Sequence, residues 1–209
     1  MDDILIDGLH DYLLDLLGAE RDNVLVEMEN YAKEQDFPII GPLVGQVLSQ
    51  YTQLIEAKRI LELGSGFGYS AIYFAKAAPE AEIICTDVSE ENKNLSISYF
   101  KRLAISNIKF IVGDSLEIIN KLQGEFDIIF NDVDKEEYPE AFKISVPRLG
   151  KGGILITDNA LWYGRVLESN SQRESTKGVK EYNRLAFSDP RVLSTMIPIR
   201  DGICISIKL

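Results

Sequence analysis

The sequence predicts an α/β fold built on a mostly parallel, seven-stranded sheet. Three observations point to it. Five short apolar runs, 59–63, 82–86, 108–112, 126–130 and 153–157, alternate with helical segments near 69–78, 90–104, 115–122 and 136–148. Such alternation gives a parallel sheet covered by helices on both faces. After a further helix near 177–187, two apolar runs, 192–199 and 202–208, are separated by Arg200 and Asp201 alone. A connection that short can only be a hairpin, so the sheet ends with an antiparallel C-terminal strand. Ahead of the first strand the apolar residues recur at helical spacing, which makes residues 1–57 a helical N-terminal extension. The length of 209 residues, 45% of them hydrophobic, suits one domain, with residues 58–209 as its α/β core.

In that extension Leu5, Leu9, Tyr12, Leu13 and Leu16 form one helical stripe, stopped by Gly18. Val24, Met28, Tyr31 and Ala32 mark a second helix, and Val44, Val47, Leu48, Tyr51 and Leu54 a third beyond Pro38, Gly41 and Pro42. The net charge of −11 is concentrated here, since residues 1–36 carry eleven acids and two bases. A solvated face on amphipathic helices explains that distribution, and non-specific nucleic-acid binding, which rests on phosphate neutralisation, is disfavoured. No run reaches 18 uninterrupted apolar residues, so no membrane span is expected. The N-terminal MDDILIDGLHDY is acidic where a signal peptide is basic, which points to a cytoplasmic protein. Cys85 and Cys204 lie in apolar strand segments and read as buried small hydrophobes. His10, in the first helix, reads as a surface or packing residue.

The first strand runs into a glycine turn, ELGSGFGYS, with Gly64, Gly66 and Gly68 between strand and helix, where backbone approaches a ligand closely. Asp87 ends the second strand 23 residues after Gly64, placed to take ribose hydroxyls. A dinucleotide oxidoreductase is the obvious competitor, but the G-x-G-x-G spacing is not that fingerprint. Glu62 would repel a pyrophosphate, yet it suits a ligand carrying positive sulfonium and ammonium groups. Two further strands end in acids, one in NDVDKEEY and the next in ITDNALWYGRV, 26 residues from Asp132 to Asp158. In a parallel sheet those ends open onto one crevice, bringing the oxygens of Asp132, Asp158 and Asn159 together. Hard oxygen ligands without sulfur favour Mg²⁺ over zinc. Acids that merely cap the turns after their strands are the alternative.

The glycine turn, Asp87 and the trio Gly113-Asp114-Ser115 resemble S-adenosylmethionine-dependent methyltransferases of the Rossmann-like class I. By that resemblance Gly64 and Ser65 pass the methionine portion, Ser70 contacts it, and Gly66 belongs to the same cofactor site. Asp87 holds the ribose, Asp114 and Ser115 edge the adenine, and Ile40 lines the cofactor. For Asp114 and Ser115 a helix cap is the compatible alternative. DVDK and DNALWYGRV together narrow the resemblance, over residues 38–209, to the cation-dependent O-methyltransferases similar to catechol and caffeoyl-CoA O-methyltransferases. It implies Asp132, Asp158 and Asn159 as metal ligands, with Asp132 also beside the cofactor, Lys135 as general base and Trp162 along the acceptor ring. The implied acceptor is a hydroxylated, catechol-like small molecule, and relatives are commonly homodimers.

Two positions depart from the pattern. Asn131 stands where an apolar residue is expected and could hydrogen-bond the cofactor or acceptor. Val44 stands where many relatives carry an acid. The N-terminal DYLLDLLGAERDN…MENYAKEQDFPI is similar to relatives that methylate a hydroxylated uridine in tRNA, which makes a tRNA 5-hydroxyuridine O-methyltransferase the alternative. Arg165, Arg173, Lys177, Lys180 and Arg184, five bases against three acids in residues 165–184, would be its docking surface.

Overall fold

In a computed structural model, residues 8–18 and 21–209 are described, so Leu5 of the first helical stripe lies outside the described residues. The described part of that helix is α1 (Leu9–Leu16), which buries none of its residues; Tyr12 and Leu16 are exposed. Helix α2 (Asn23–Glu34) starts at Asp22, whose carboxylate accepts from the Val24 N–H at 2.9 Å, a conventional N-cap. It buries Leu25, Met28 and Ala32. Helix α3 (Gly41–Leu54) has Pro42 in its first turn and buries Val44 and Leu48. These side chains share one core with Ile60, Ile83, Ile128 and Ile154 of the sheet.

The sheet strands are β1 (Arg59–Leu63), β2 (Glu82–Asp87), β3 (Ile108–Val112), β4 (Phe126–Asn131), β5 (Leu149–Thr157), β6 (Val192–Ile197) and β7 (Ile203–Lys208). Their order is β3-β2-β1-β4-β5-β7-β6, and β7 runs antiparallel to both neighbours, β5 and β6. The predicted hairpin is therefore present, and β7 is the reversed C-terminal strand. Between strands lie α4 (Tyr69–Ala77), α5 (Glu90–Arg102), α6 (Ser115–Lys121) and α7 (Tyr138–Arg148), while α8 (Glu174–Ser188) precedes the hairpin. One core face holds Ile60, Ile83, Ile128 and Phe130, and the other Leu61, Leu63, Ile84 and Ile129, as alternation within a doubly covered sheet requires.

β5 begins four residues before the expected 153, at Leu149, which pairs with Phe126 across an irregularity in β4. Gly150, Gly152 and Gly153 hid that part of the strand, because glycines read as a turn. The helix expected over 136–148 splits into a 3₁₀ turn, Lys135–Glu137, and α7. Cys85 and Cys204 are buried free thiols, as expected.

The strand order reverses between β1 and β4, since β2 continues one way from β1 and β4 the other. At such a switch point the connections leave toward opposite faces and open a crevice beyond the C-terminal strand ends. Gly64, Asp87, Gly113, Asp132 and Asp158 all follow or close those ends.

Candidate functional site

A cleft of about 480 Å³ occupies that crevice. Its walls include Ile40, Gly64, Ser65, Gly66, Ser70, Asp87, Asp114, Ser115, Asp132, Lys135, Asp158, Asn159 and Trp162, so the chain brings all but one of the sequence-predicted site residues to one opening. The segment Phe37–Ile40 between α2 and α3 closes one side, and Phe37 packs edge-on against Phe67 at 5.0 Å.

The glycine turn is held by β2, for the N–H groups of Gly64 and Ser65 both donate to the Thr86 carbonyl, at 3.0 and 2.9 Å. Gly64 has φ +83°, and a Cβ there would collide with the backbone carbonyl of Asp132. Glycine is thus required twice, for its dihedral and for the close pass of β1 against the strand end carrying Asp132. The Asp87 carboxylate accepts from the Gly66 N–H at 2.9 Å and from the Ser89 N–H at 2.9 Å, fixing its orientation at the cleft. Asp114 caps α6, accepting from Leu116 and Glu117, and also lines the cleft. Ser115 accepts from the Thr86 hydroxyl at 2.8 Å.

Glu62 is the predicted residue that does not reach the wall. It is fully buried behind Ser70, whose hydroxyl donates to it, and the Cys85 thiol lies 3.4 Å from its other oxygen. Burial pushes its carboxyl up to about 7, against the pull of the Ser70, Ser65 and Cys85 hydrogen bonds. With an ordinary value of 4.5, the folded chain prefers the protonated form, so this residue's stabilising contribution is complete below about pH 4.5 and is lost as pH rises to about 7. The span corresponds to on the order of 3 kcal/mol. Glu62→Gln is therefore expected to be more stable than wild type at pH 8, with the gap closing toward pH 4.5, as read from urea midpoints across pH.

Asn131 also corrects an expectation. It is fully buried in β4 opposite Thr157, 3.4 Å from that hydroxyl, and is not on the cleft wall. Its position in the last residue pair of the strand, before the chain turns outward at Asp132, turns its amide into the sheet. Val44 is likewise buried in the core.

The acidic end of the cleft is built from β4 and β5. Lys135 donates to the Asp132 carboxylate at 2.9 Å, and its ammonium sits 4.9 Å from the Tyr138 ring centre and 5.8 Å from that of Trp162. Tyr138 in turn donates to the Asp158 carbonyl at 2.9 Å, tying the two strand ends together. A Cβ on Gly178 of α8 would collide with the Lys135 carbonyl, so that glycine lets α8 seat the turn bearing the lysine. Asp158 is 1% exposed, and one of its oxygens lacks a hydrogen-bond partner, while the other is 3.3 Å from the Arg200 guanidinium. Burial, then the nearby Asp132 charge, raises the Asp158 carboxyl, with Arg200 and Lys135 opposing. Asn159 sits at φ +49° on the cleft wall. Trp162 and Tyr163 also have positive φ, at 49° and 53°, in a turn sewn to the hairpin by Asp201, which accepts from the Tyr163 N–H. Strained backbone of this kind clusters at ligand sites.

Sequence reasoning missed Tyr138, Gly178, Arg200 and Asp201. The first two act through packing that has no local signature, whereas Arg200 and Asp201 were read only as a turn. Among the described residues no group of three or more His, Cys, Asp or Glu side chains is gathered to hold a metal. Two aspartates and an asparagine are a different donor set, and a buried carboxylate oxygen without a partner fits a hard divalent cation. His10 lies on α1, outside the cleft walls. Each of the five bases of residues 165–184 is engaged locally. Arg165 covers Trp162 and Tyr163, Arg173 and Lys177 pair with Glu168 and Glu174, Lys180 donates to the Glu168 carbonyl, and Arg184 pairs with Glu181.

Comparison with known proteins agrees with this geometry. The O-methyltransferase family profile matches residues 17–209. A catechol O-methyltransferase of Niastella koreensis is 29% identical over 220 residues, 99% of each chain. A caffeoyl-CoA O-methyltransferase of Eucalyptus globulus is 33% identical over 172 residues, 76% of this chain and 70% of that one. Among solved structures, an O-methyltransferase of Bacillus cereus in complex with SAH superposes with a TM-score of 0.87 at 23% identity, covering 96% of this chain and 97% of that one, a likeness of fold. The chain belongs to the O-methyltransferase family of the catechol and caffeoyl-CoA type, and is an S-adenosylmethionine-dependent O-methyltransferase.

Proposed function

We propose that the enzyme is divalent-metal-dependent, with Mg²⁺ or another hard cation held by Asp132, Asp158 and Asn159, and that it methylates one of two vicinal hydroxyls on a catechol-like small molecule. The observation that carries the reading is the partnerless buried oxygen of Asp158, in the same cleft as Asp132, Asn159 and Lys135. A divalent ion, when bound, would lower the pKa of a chelated hydroxyl and fix its orientation. The remaining work falls to the chain. Gly64, Ser65, Gly66 and Ser70 line the methionine end of the methyl donor, Asp87 its ribose, Asp114 and Ser115 its adenine, and Ile40 covers it. Glu62, behind Ser70, acts on that end through the serine hydroxyl. Trp162 supports the acceptor ring, and Lys135, between the Trp162 ring and Asp132, takes the hydroxyl proton at its Nζ when it is present as the neutral amine. Held in line, acceptor oxygen and methyl carbon need little further activation, because the sulfonium donor is already reactive, so proximity supplies much of the rate.

The acceptor class has a direct test. A 3,4-dihydroxylated aromatic acid should be methylated at least about a hundredfold faster than either monohydroxy analogue, since only the former offers two oxygens to one ion. Equal rates would remove the vicinal requirement. No feature of the described cleft specifically favours the hydroxyuridine alternative, and Arg173, Lys177 and Arg184 pair with neighbouring acids in exposed contacts too weak to exclude other partners. Exposed Tyr12 and Leu16 on α1 support a homodimer through the N-terminal helices, which sedimentation would measure as twice the chain mass. Among the described residues no helix is long and apolar enough to cross a membrane, which is consistent with work in the cytoplasm, testable by fractionation.

A further inference from the structure

The turn of the β6–β7 hairpin carries a cation into the acidic end of the cleft. Arg200 has φ +52°, a backbone conformation that an L side chain rarely adopts, and it is only 9% exposed. Its guanidinium is 3.3 Å from Asp158 Oδ2, and it forms part of the cleft wall beside Asn159 and Lys135. The turn is not free to drift. The Ala160 N–H donates to the Gly202 carbonyl at 2.8 Å, the Leu161 N–H to the Asp201 carbonyl at 3.0 Å, and the Tyr163 N–H to the Asp201 carboxylate. The backbone that follows Asp158 and Asn159 is therefore bolted to the turn that presents Arg200. Lys135 stands on Asp132 in the same way, so each of the two acids has a cation from the chain against it.

A buried carboxylate is costly without a partner, and the pair of acids would repel one another. We infer that Arg200 is the resident counter-ion of Asp158 in the metal-free enzyme, and that a divalent cation must displace its guanidinium to bind. This inference rests on the metal reading above. Arg200 is then a positioning residue: it keeps the acidic end folded when no ion is present, and it lowers divalent affinity by competing for the same oxygens. The geometry suits a displaceable partner, because at 3.3 Å the contact is longer than a tight charge-assisted bond, and it leaves Asp158 Oδ1 without a hydrogen bond. The side chain also lines the cleft wall, where an entering cation would meet it.

The test is Mn²⁺ binding to metal-stripped protein, followed by the paramagnetic resonance of the free ion, together with thermal midpoints in EDTA and in saturating Mn²⁺. Arg200→Gly suits the positive φ; Arg200→Gln retains bulk without charge, and Arg200→Lys retains charge. Both uncharged variants are expected to bind Mn²⁺ about tenfold or more tightly than wild type, with Arg200→Lys close to wild type. In EDTA the uncharged variants should melt below wild type, and the gap should close when Mn²⁺ is added. A structural role alone would lower both midpoints equally and leave affinity unchanged, which would overturn the inference. Weaker Mn²⁺ binding in both uncharged variants would overturn it too. Absence of Mn²⁺ binding in wild type and variants alike would overturn the metal reading itself, and the counter-ion role with it.

Discussion

Asp158→Ala is expected to lower methyl transfer by on the order of 10³-fold or more, while S-adenosylhomocysteine still binds. The asymmetry follows from where the residue sits. Asp158 follows Thr157, the last residue of β5, whereas the glycine turn hangs from β1 and β2 through Gly64, Ser65 and Asp87. Removing the carboxylate takes away one of three hard oxygens at the acidic end and touches none of the hydrogen bonds that hold the glycine turn. The isosteric Asp158→Asn should behave alike, since an amide keeps the shape but not the charge. Stability has a separate sign. The buried carboxylate is unfavourably ionised on its own, but truncation also strips Arg200 of its partner, and breaking one side of a buried pair is the destabilising move. Calorimetric titration of S-adenosylhomocysteine beside steady-state kinetics separates the effects. Undiminished turnover would remove Asp158 from the site, and lost cofactor binding would mean the variant has damaged the fold instead.

Lys135 carries the second large effect. Lys135→Ala is expected to slow turnover about 10²- to 10⁴-fold, the usual range for a positioned proton acceptor. Acceptor and cofactor affinities should move far less. Lys135→Arg is the sharper variant. It retains a cation for Asp132 and for the faces of Tyr138 and Trp162, so the local charge balance survives. Arginine cannot release its proton in a protein, so it cannot serve as base. Should Lys135→Arg restore more than about a tenth of the wild-type rate, the residue is acting as a charge and not as a proton acceptor. Single-turnover measurements with enzyme in excess read this step directly.

The fold was legible because a parallel sheet writes itself as apolar runs with helices between, and each of the five runs became a strand. The hairpin was legible because so short a link between two apolar runs leaves no other path, although the turn itself spans residues 198–202. What failed were places where glycine masks strand, as in residues 150–153 of β5, or where the chain changes helix type, as at Lys135–Glu137. Strand-end acids and the glycine turn pointed to the cleft because carboxylates at a strand end are costly unless a cation faces them, and because glycine lets backbone approach a ligand closely. Three readings went beyond what residue type can say. Glu62 was placed near the ligand by its charge, and Asn131 as a polar departure beside Asp132, but both side chains turn into the core, one behind Ser70 and one against Thr157. Arg200 was read as a turn residue, since nothing local reveals that the hairpin folds back over β5. Such a role depends on Ala160 and Leu161 meeting Gly202 and Asp201, contacts about forty residues apart in the chain.

The measurement closest to the central claim is methyl transfer from labelled S-adenosylmethionine to a 3,4-dihydroxylated aromatic acid by metal-stripped enzyme, in EDTA and after Mg²⁺ is restored. Transfer should fall to the enzyme-free background in EDTA and return when Mg²⁺ exceeds the chelator, with S-adenosylhomocysteine binding little changed throughout. Transfer that proceeds undiminished in EDTA would contradict the account, leaving Asp132, Asp158 and Asn159 as acids and an amide that merely cap their strands.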